Sequence, residues 1–388
     1  MMSIAILINT DVGKPPQIIH IWDVHGFVRL SDTVREKLKK LIKTYGVRKL
    51  ARDLNFDKET IYSIYTKGRK KCSHSIKHLL AIAVFLNYNL ETLEKEVTFY
   101  GTKQGNMYET QFPFSLTPLH LRAVTIHGDG SFYNNVKQNS IRTEWYQSGK
   151  RIKYMEKLLN KVINNNPIRS KIKAKEDNVY SISIPSHLVR LVCNSLNLDV
   201  DSFYSTEFFK AVTQLPPQYS IQVLFQFIVD EGCLRGTTLT VAQKKKWGRE
   251  GLKILLDDLG FDYSQPINDK QDITIYNYNF PKILNYLKEA KNRYGDTVGL
   301  WFKEKEFIDA CKKINPSHYP LIRKSIQVNK EIFNKLTKTN SIFTYQDIKD
   351  FGRTSSQANK AIRNWKKNNL IQRIGWNKYK IINFIIVD

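Results

Sequence analysis

Two apolar segments, roughly a hundred residues apart, each end in an acid followed by glycine, and few folds can use such a pair. The first, Leu121–Ser131, reads LRAVTIHGDGS; the second, Leu224–Gly232, reads LFQFIVDEG. Each predicts a helix whose last turn delivers a carboxylate, Asp129 or Glu231. Gly130 or Gly232 then stops the helix, because glycine tolerates the backbone conformations that end one. A duplicated helix that brings two acids together is a route to a divalent-metal site on an internal twofold axis.

The elements downstream of each segment also repeat. After Asp129 come two strand patterns, Phe132–Lys137 and Ile141–Tyr146. A helix with Met155, Leu158, Leu159 and Val162 on one face comes next, then strands Lys171–Lys175 and Val179–Ile184 and a helix Ser186–Leu196. After Glu231 the order recurs: strand Leu239–Ala242, a helix face of Leu252, Leu255, Leu256 and Leu259, strands Phe261–Tyr263 and Ile273–Tyr278, and helix Lys282–Ala290. Two copies do not make a solenoid; they make a pseudo-symmetric pair, expected over 116–205 and 206–295.

The chain carries 61 Lys and Arg against 36 Asp and Glu, a net charge of +25 spread along its 388 residues. Such an excess favours a polyanionic partner, most simply double-stranded DNA. Cys72, Cys193, Cys233 and Cys311 lie far apart with no CxxC pair, which disfavours a zinc site or disulfide framework. The first residues lack the features of a signal peptide, and no apolar run is long enough to span a membrane. A cytoplasmic, nucleoid-associated protein is the expectation.

The flanks add two further modules. Residues 1–30 hold apolar runs Ile4–Ile8 and Ile18–Trp22 that could pair as strands. Residues 31–97 read as helical throughout: Gly46 breaks the first helix, Asn55 and Phe56 make a tight turn, and Asp57 caps a short helix, Lys58 to Lys67. Ile61 and Ile64 face inward; Lys58, Thr60 and Tyr62 remain outside, and Arg69 and Lys70 follow in a basic run. This is similar to a helix-turn-helix, whose second helix enters the major groove, though an ordinary helical hairpin has the same pattern. Residues 98–115 read as a linker, and 296–328 as connecting helices. In 329–388, Thr354 with Gln357 forms a capping box for a helix that buries Ala358, Ala361, Ile362 and Trp365. That helix leaves Gln357, Lys360, Arg363, Asn364 and Lys367 outside, and a hairpin follows, an order that resembles a winged helix-turn-helix. Such a winged helix can also serve protein interaction.

The paired segments resemble the LAGLIDADG homing endonucleases over roughly Pro118–Asn292. The resemblance implies an α+β fold: a pseudo-symmetric, duplicated αββαββα core, here flanked by the N-terminal helix-turn-helix and the C-terminal winged helix. It implies that Asp129 and Glu231 hold Mg²⁺ as the catalytic acids, and that Gln243 orients site water. It also implies that one chain, as a monomer, spans the major groove with strands from both copies. Arg142, Glu144 and Tyr146 alternate against Ile141, Thr143 and Trp145. Lys171, Lys173 and Lys175 share one face of a strand, suited to phosphates or, equally, to a solvated edge. Departures are plain. Val124 and Gln226 stand where the motif's helices touch through small residues, His127 and Val229 replace its first acid, and Asp230 adjoins Glu231. A site-specific DNA endonuclease and a non-cutting DNA binder, such as a replication-origin-binding initiator or a transcriptional regulator, both fit.

Overall fold

The Ser31 hydroxyl accepts a hydrogen bond from the Val34 amide at 3.3 Å and so starts helix α1, Asp32–Tyr45, which buries Val34, Leu38 and Ile42 at helical spacing. The computed structural model describes residues 14–65, 73–101, 107–135, 140–163, 169–171, 178–264, 272–314, 329, 331–338, 341–367, 370–375 and 377–382. For Tyr65, Ser140, 169–171, Ser356, Lys360, Asn364 and Lys367 it describes the backbone alone. Gly46 ends α1 at φ +99°, a conformation that favours glycine. Helices α2 (Val47–Asp53) and α3 (Lys58–Tyr65) follow, and Leu50, Ile61 and Ile64 close a small core with α1. Helices α4 (Ile76–Phe85) and α5 (Leu90–Lys95) complete the set.

A sheet borders these helices, contrary to the all-helical reading. Strands β1 (Phe27–Leu30), β2 (His74–Ser75), β3 (Val97–Gly101) and β4 (Met107–Glu109) pair antiparallel in the order β2-β1-β3-β4. The stretch 98–115 is therefore not a linker; its Tyr100, Met107 and Tyr108 are buried. Nor does Ile18–Trp22 form a strand: Ile19 makes one bridge to Phe114, and Ile21–Asp23 is a single 3₁₀ turn. Ile4–Ile8 lie outside the described residues. Strands this short take their identity from their partners more than from their own pattern.

The two acid-ended segments are each followed by strands and helices, but in unequal number. Helix α6 (Pro118–Val124) is followed by β5 (Gly130–Asn135), β6 (Ser140–Ser148), α7 (Ile152–Ile163), β7 (Arg169–Lys171), β8 (Val179–Ile184) and α8 (Ser186–Ser195), with sheet order β5-β6-β8-β7. After α9 (Thr206–Val212) come α10 (Pro217–Glu231), β9 (Gly232–Arg235), β10 (Thr238–Val241), α11 (Lys246–Asp258), β11 (Ile273–Ile275) and α12 (Phe280–Tyr294), with sheet order β11-β10-β9. Strand β9 has no counterpart in the sequence pattern, and Phe261–Tyr263 reduces to one bridge between Tyr263 and Ile275. Helices α6 and α10 pack on each other. Met155, Leu158 and Leu159 of α7 and Leu252, Leu255 and Leu256 of α11 are buried as their spacing requires.

Packing divides the chain into two units: Met1–Gly232 with Lys245–Phe261 and Ile283–Lys305, and Cys233–Lys244 with Asp262–Lys282 and Glu306–Asp388. The second contains the rest of α13 (Glu304–Lys312), α14 (residues 331–338), β12 (Ile342–Thr344), α15 (Tyr345–Asp350), α16 (Ser355–Lys367), β13 (Ile371–Gly375) and β14 (Lys378–Ile381). The last three strands form a sheet in the order β12-β14-β13. Phe333, Phe343, Ile348, Ala361 and Trp365 belong to the core that these helices and strands share. The Thr354–Gln357 capping box is present, with the Thr354 amide donating to Gln357 Oε1 at 3.1 Å and the Gln357 amide to Thr354 Oγ1 at 3.3 Å. No described helix is long and apolar enough to cross a membrane.

Candidate functional site

Helix α6 does not carry Asp129 in its last turn as expected; it stops at Val124. Thr125 leaves the helix at φ −74°, ψ 91°, and its hydroxyl donates back to the Leu121 carbonyl at 2.8 Å. The next residues are held by partners distant in sequence. Tyr204 donates its hydroxyl to the Ile126 carbonyl at 2.8 Å, and His127 Nε2 bonds the Phe203 carbonyl at 2.8 Å. The His127 ring is buried among Phe203, Tyr204, Phe208, Phe209 and Trp247, and burial pushes its pKa down to about 4. Asp129 thus sits in a turn, its carbonyl accepting from the Tyr146 amide at 3.0 Å.

Helix α10 does run through Glu231, and the Gly232 amide closes it onto the Ile228 carbonyl. Gly128 is where the two segments meet. A Cβ there would lie 2.5 Å from Asp230 Cβ and 3.0 Å from Glu231 Cγ, so only glycine allows the approach. Asp230 Oδ1 accepts from Trp145 Nε1 at 3.0 Å and Gln226 Nε2 at 2.9 Å, and the Asp129 amide approaches its Oδ2 at 3.5 Å. Gln147 Nε2 donates to Asp129 Oδ2. Lys303 Nζ donates to the Ile228 carbonyl at 2.9 Å and to the Gly232 carbonyl.

Burial raises the Asp129 pKa, while Lys303, the Gln147 hydrogen bond and Arg151 work against that rise. Asp230 is pushed well above the usual carboxylate range by burial first and by the Asp129 charge second. Two apposed carboxyls that resist ionisation together are an arrangement typical of functional sites, though structural clusters produce it too.

The structure therefore brings Asp129 together with Asp230, and Gly128 against the flank of Glu231, which is itself partly exposed. Gln243 lies buried just after β10. The offset of the helix faces pairs Gln243 with Tyr146 in the first copy, with Gln147 adjacent. Gln147 occupies the row of β6 that holds the buried Thr143 and Trp145, whereas Tyr146 is in the other row, bonded to Ser131 at 3.0 Å and Glu144 at 2.8 Å. Lys303 carried no sequence signal, because its role depends on a fold-back of the chain after α12. Among the described residues no group of three or more His, Cys, Asp or Glu side chains is placed to hold a metal ion.

Arg142 is exposed on β6 and pairs with Glu144 at 3.0 Å. Lys58 and Tyr62 are exposed on α3, and Thr60 is partly exposed. Gln357 and Arg363 are exposed on α16, but Gln357 Oε1 is engaged in the capping box. Lys360, Asn364 and Lys367 have described backbone in α16, and Lys171 in β7, where it pairs with Tyr180. Arg69, Lys70, Lys173 and Lys175 lie outside the described residues.

No protein-family model and no curated protein matches the chain. Among solved structures, the homing endonuclease I-DmoI in complex with DNA and Mn is similar at 16% identity, covering 44% of this chain and 97% of that one, with a TM-score of 0.32. I-WcaI bound to its DNA recognition sequence is 12% identical over 45% of this chain and 83% of that one, TM-score 0.31. The LAGLIDADG meganuclease I-AabMI bound to uncleaved DNA is 14% identical over 54% and 92%, TM-score 0.31.

Proposed function

We propose that the protein is a sequence-specific, double-stranded DNA-binding protein of LAGLIDADG type that cuts its site with Mg²⁺ held by Asp129 and Glu231. The observation that carries this reading is the meeting at Gly128 of the two acid-ended segments, each followed by two strands and then a helix. Carboxylate oxygens are the donors that a hard cation prefers. The donors are oxygens, and the Asp129 and Asp230 carboxyls disfavour their ionised forms in the absence of added positive charge. Mg²⁺ keeps much of its water and needs few protein ligands, so a pair of carboxylates can suffice. Bound there, it would supply an activated water and neutralise the leaving oxygen. Gln147 fixes the Asp129 carboxylate, and Lys303 adds positive charge beside it, where a phosphodiester would gain negative charge. The resemblance gives Gln243 of the second copy the role of orienting site water.

The net charge of +25 supplies phosphate affinity. Arg142 and the lysines of 171–175 serve the core. Lys58, Thr60, Tyr62, Arg69 and Lys70 serve an N-terminal helix-turn-helix, and Gln357, Lys360, Arg363, Asn364 and Lys367 a C-terminal winged helix. A monomer supplies both halves of the DNA-contacting surface.

One observation favours a second reading, a non-cutting DNA binder acting at a replication origin or as a transcriptional regulator. Asp230 is already engaged by Trp145 and Gln226, and Asp129 by Gln147, as in a structural clasp. Incubation with a duplex library and Mg²⁺ or Mn²⁺, scored for enrichment and for cleavage, separates the two. If about eight phosphates are neutralised, log K against log salt slopes near roughly −7. A flat salt dependence overturns DNA binding altogether, and an enriched site left uncut with both metals selects the second reading.

A further inference from the structure

Arg122 of α6 is fully buried. Its guanidinium donates to Gln222 Oε1 of α10 at 3.1 Å and to the Gly299 carbonyl, and lies 4.6 Å from the centre of the Trp301 ring. An amide and a carbonyl are costly company for a buried charge; Asp230 and Glu304 contribute longer-range compensation, and burial still lowers the Arg122 pKa to about 9. An apolar side chain of similar volume would fill such a seam at lower cost. What an apolar residue could not supply is the planar fork that ties α10 to the Gly299 turn.

That turn is tightly determined. Gly299 has φ +106°, and a Cβ there would meet Glu304 Oε2 at 2.5 Å and Leu287 Cδ1 at 2.9 Å. Trp301 has φ +48°, donates its Nε1 to the Thr297 carbonyl at 3.1 Å, and stacks on Tyr154 at 5.6 Å. Glu304 is in turn held by Lys291 at 2.7 Å. The turn ends at Lys303, whose ammonium caps the acid-bearing end of α10. We infer that Arg122 is a positioning residue: by gripping Gly299 from the α6–α10 seam, it sets the turn that holds Lys303 against the Ile228 and Gly232 carbonyls beside Asp129.

The inference deepens the nuclease reading and rests on it only for the catalytic consequence; the bracket itself can be read without DNA. The test is competitive acylation of lysines in the full-length protein, with the exposed Lys40 as internal reference. In the parent protein Lys303 reacts about tenfold slower than Lys40, the protection expected of an ammonium held by two carbonyls. In Arg122→Met its rate approaches that of Lys40 while melting stays cooperative. Arg122→Lys, which keeps the charge but loses the fork, does the same, as does Gly299→Ala, which displaces the turn from its other end. Undiminished protection of Lys303 in any of these variants that folds overturns the inference. On a cleavable duplex, Arg122→Met and Lys303→Met each slow single-turnover cutting about a hundredfold, and the double variant is no slower than either. Released Lys303 in Arg122→Met, with no cutting by the parent protein, would refute the nuclease and leave the bracket standing.

Discussion

The two acid-ended segments share a sequence pattern, but α6 stops five residues short of its acid and α10 continues through its own. Both helices enter the same seam, so intrinsic propensity does not separate them. Their partners do. After Val124 the chain is pulled out of the helix by Tyr204 on the Ile126 carbonyl and by the burial of His127 against Phe203. The corresponding end of α10 meets the Lys303 ammonium, a cation at a helix C-terminus that satisfies carbonyls and complements the dipole. An acid can thus be presented by a pinned turn as well as by a helix end, provided the neighbouring residue is small enough for the two to touch.

The strongest way to break the comparison is to remove the acids themselves. On the nuclease reading, Asp129→Asn and Glu231→Gln should each lower cleavage by about a thousandfold while DNA affinity changes little, since neutral isosteres remove charge without opening a cavity. Cleavage lost in one variant alone would mean that turn and helix are not equivalent. Next in size is Gly128→Ala, which forces a methyl against Asp230 Cβ and costs about 2–3 kcal/mol in chemical denaturation. An unchanged midpoint would mean that the two segments do not touch at Gly128.

Acid separates the helices at their other ends. His120 Nδ1 accepts from the Thr117 amide at 3.0 Å in the capping box of α6, and burial lowers the His120 pKa to about 4. Helix α10 begins at Pro216–Pro217 with no titratable cap. A histidine with a depressed folded pKa contributes stability that is complete above its unfolded value near 6.5 and is lost as pH falls towards about 4. His120→Gln retains a capping box and should flatten that window by on the order of 2 kcal/mol, measured by urea melts at a series of pH values. An unaltered pH profile would remove His120 from the acid response. His74, His127 and His187, similarly depressed, act in the same direction and remain in the variant. The smallest effect on stability is that of Lys303→Met, which removes the cap from α10: about 1 kcal/mol, with faster amide exchange confined to its last turn. Exchange unchanged there would mean that α10 holds its end without the cation.

Much of this architecture was legible because it is set by local periodicity. The stripes Met155, Leu158, Leu159 and Leu252, Leu255, Leu256 fixed α7 and α11, since a helix must bury one face. Gly46 and the pair Thr354–Gln357 marked a helix end and a helix start through backbone chemistry that needs no distant partner. The acids stand out in the sequence because each closes an apolar stretch and precedes glycine. The strands of 97–109 and β9 were not legible, because three to five residues have no strand identity until a neighbour offers its hydrogen bonds.

The site followed the same division. Sequence alone determined that Asp129 and Glu231 terminate paired segments and that the chain carries charge for a polyanion. Only the tertiary structure decided that Asp230 meets Asp129, that Gln147 rather than Tyr146 holds it, and that Arg122 and Lys303 bracket the seam. Each of these contacts except the one from Gln147 joins residues about a hundred apart or more than seventy apart along the chain. Contacts at such separations leave no periodic trace, because they depend on where the packed helices bring the backbone back.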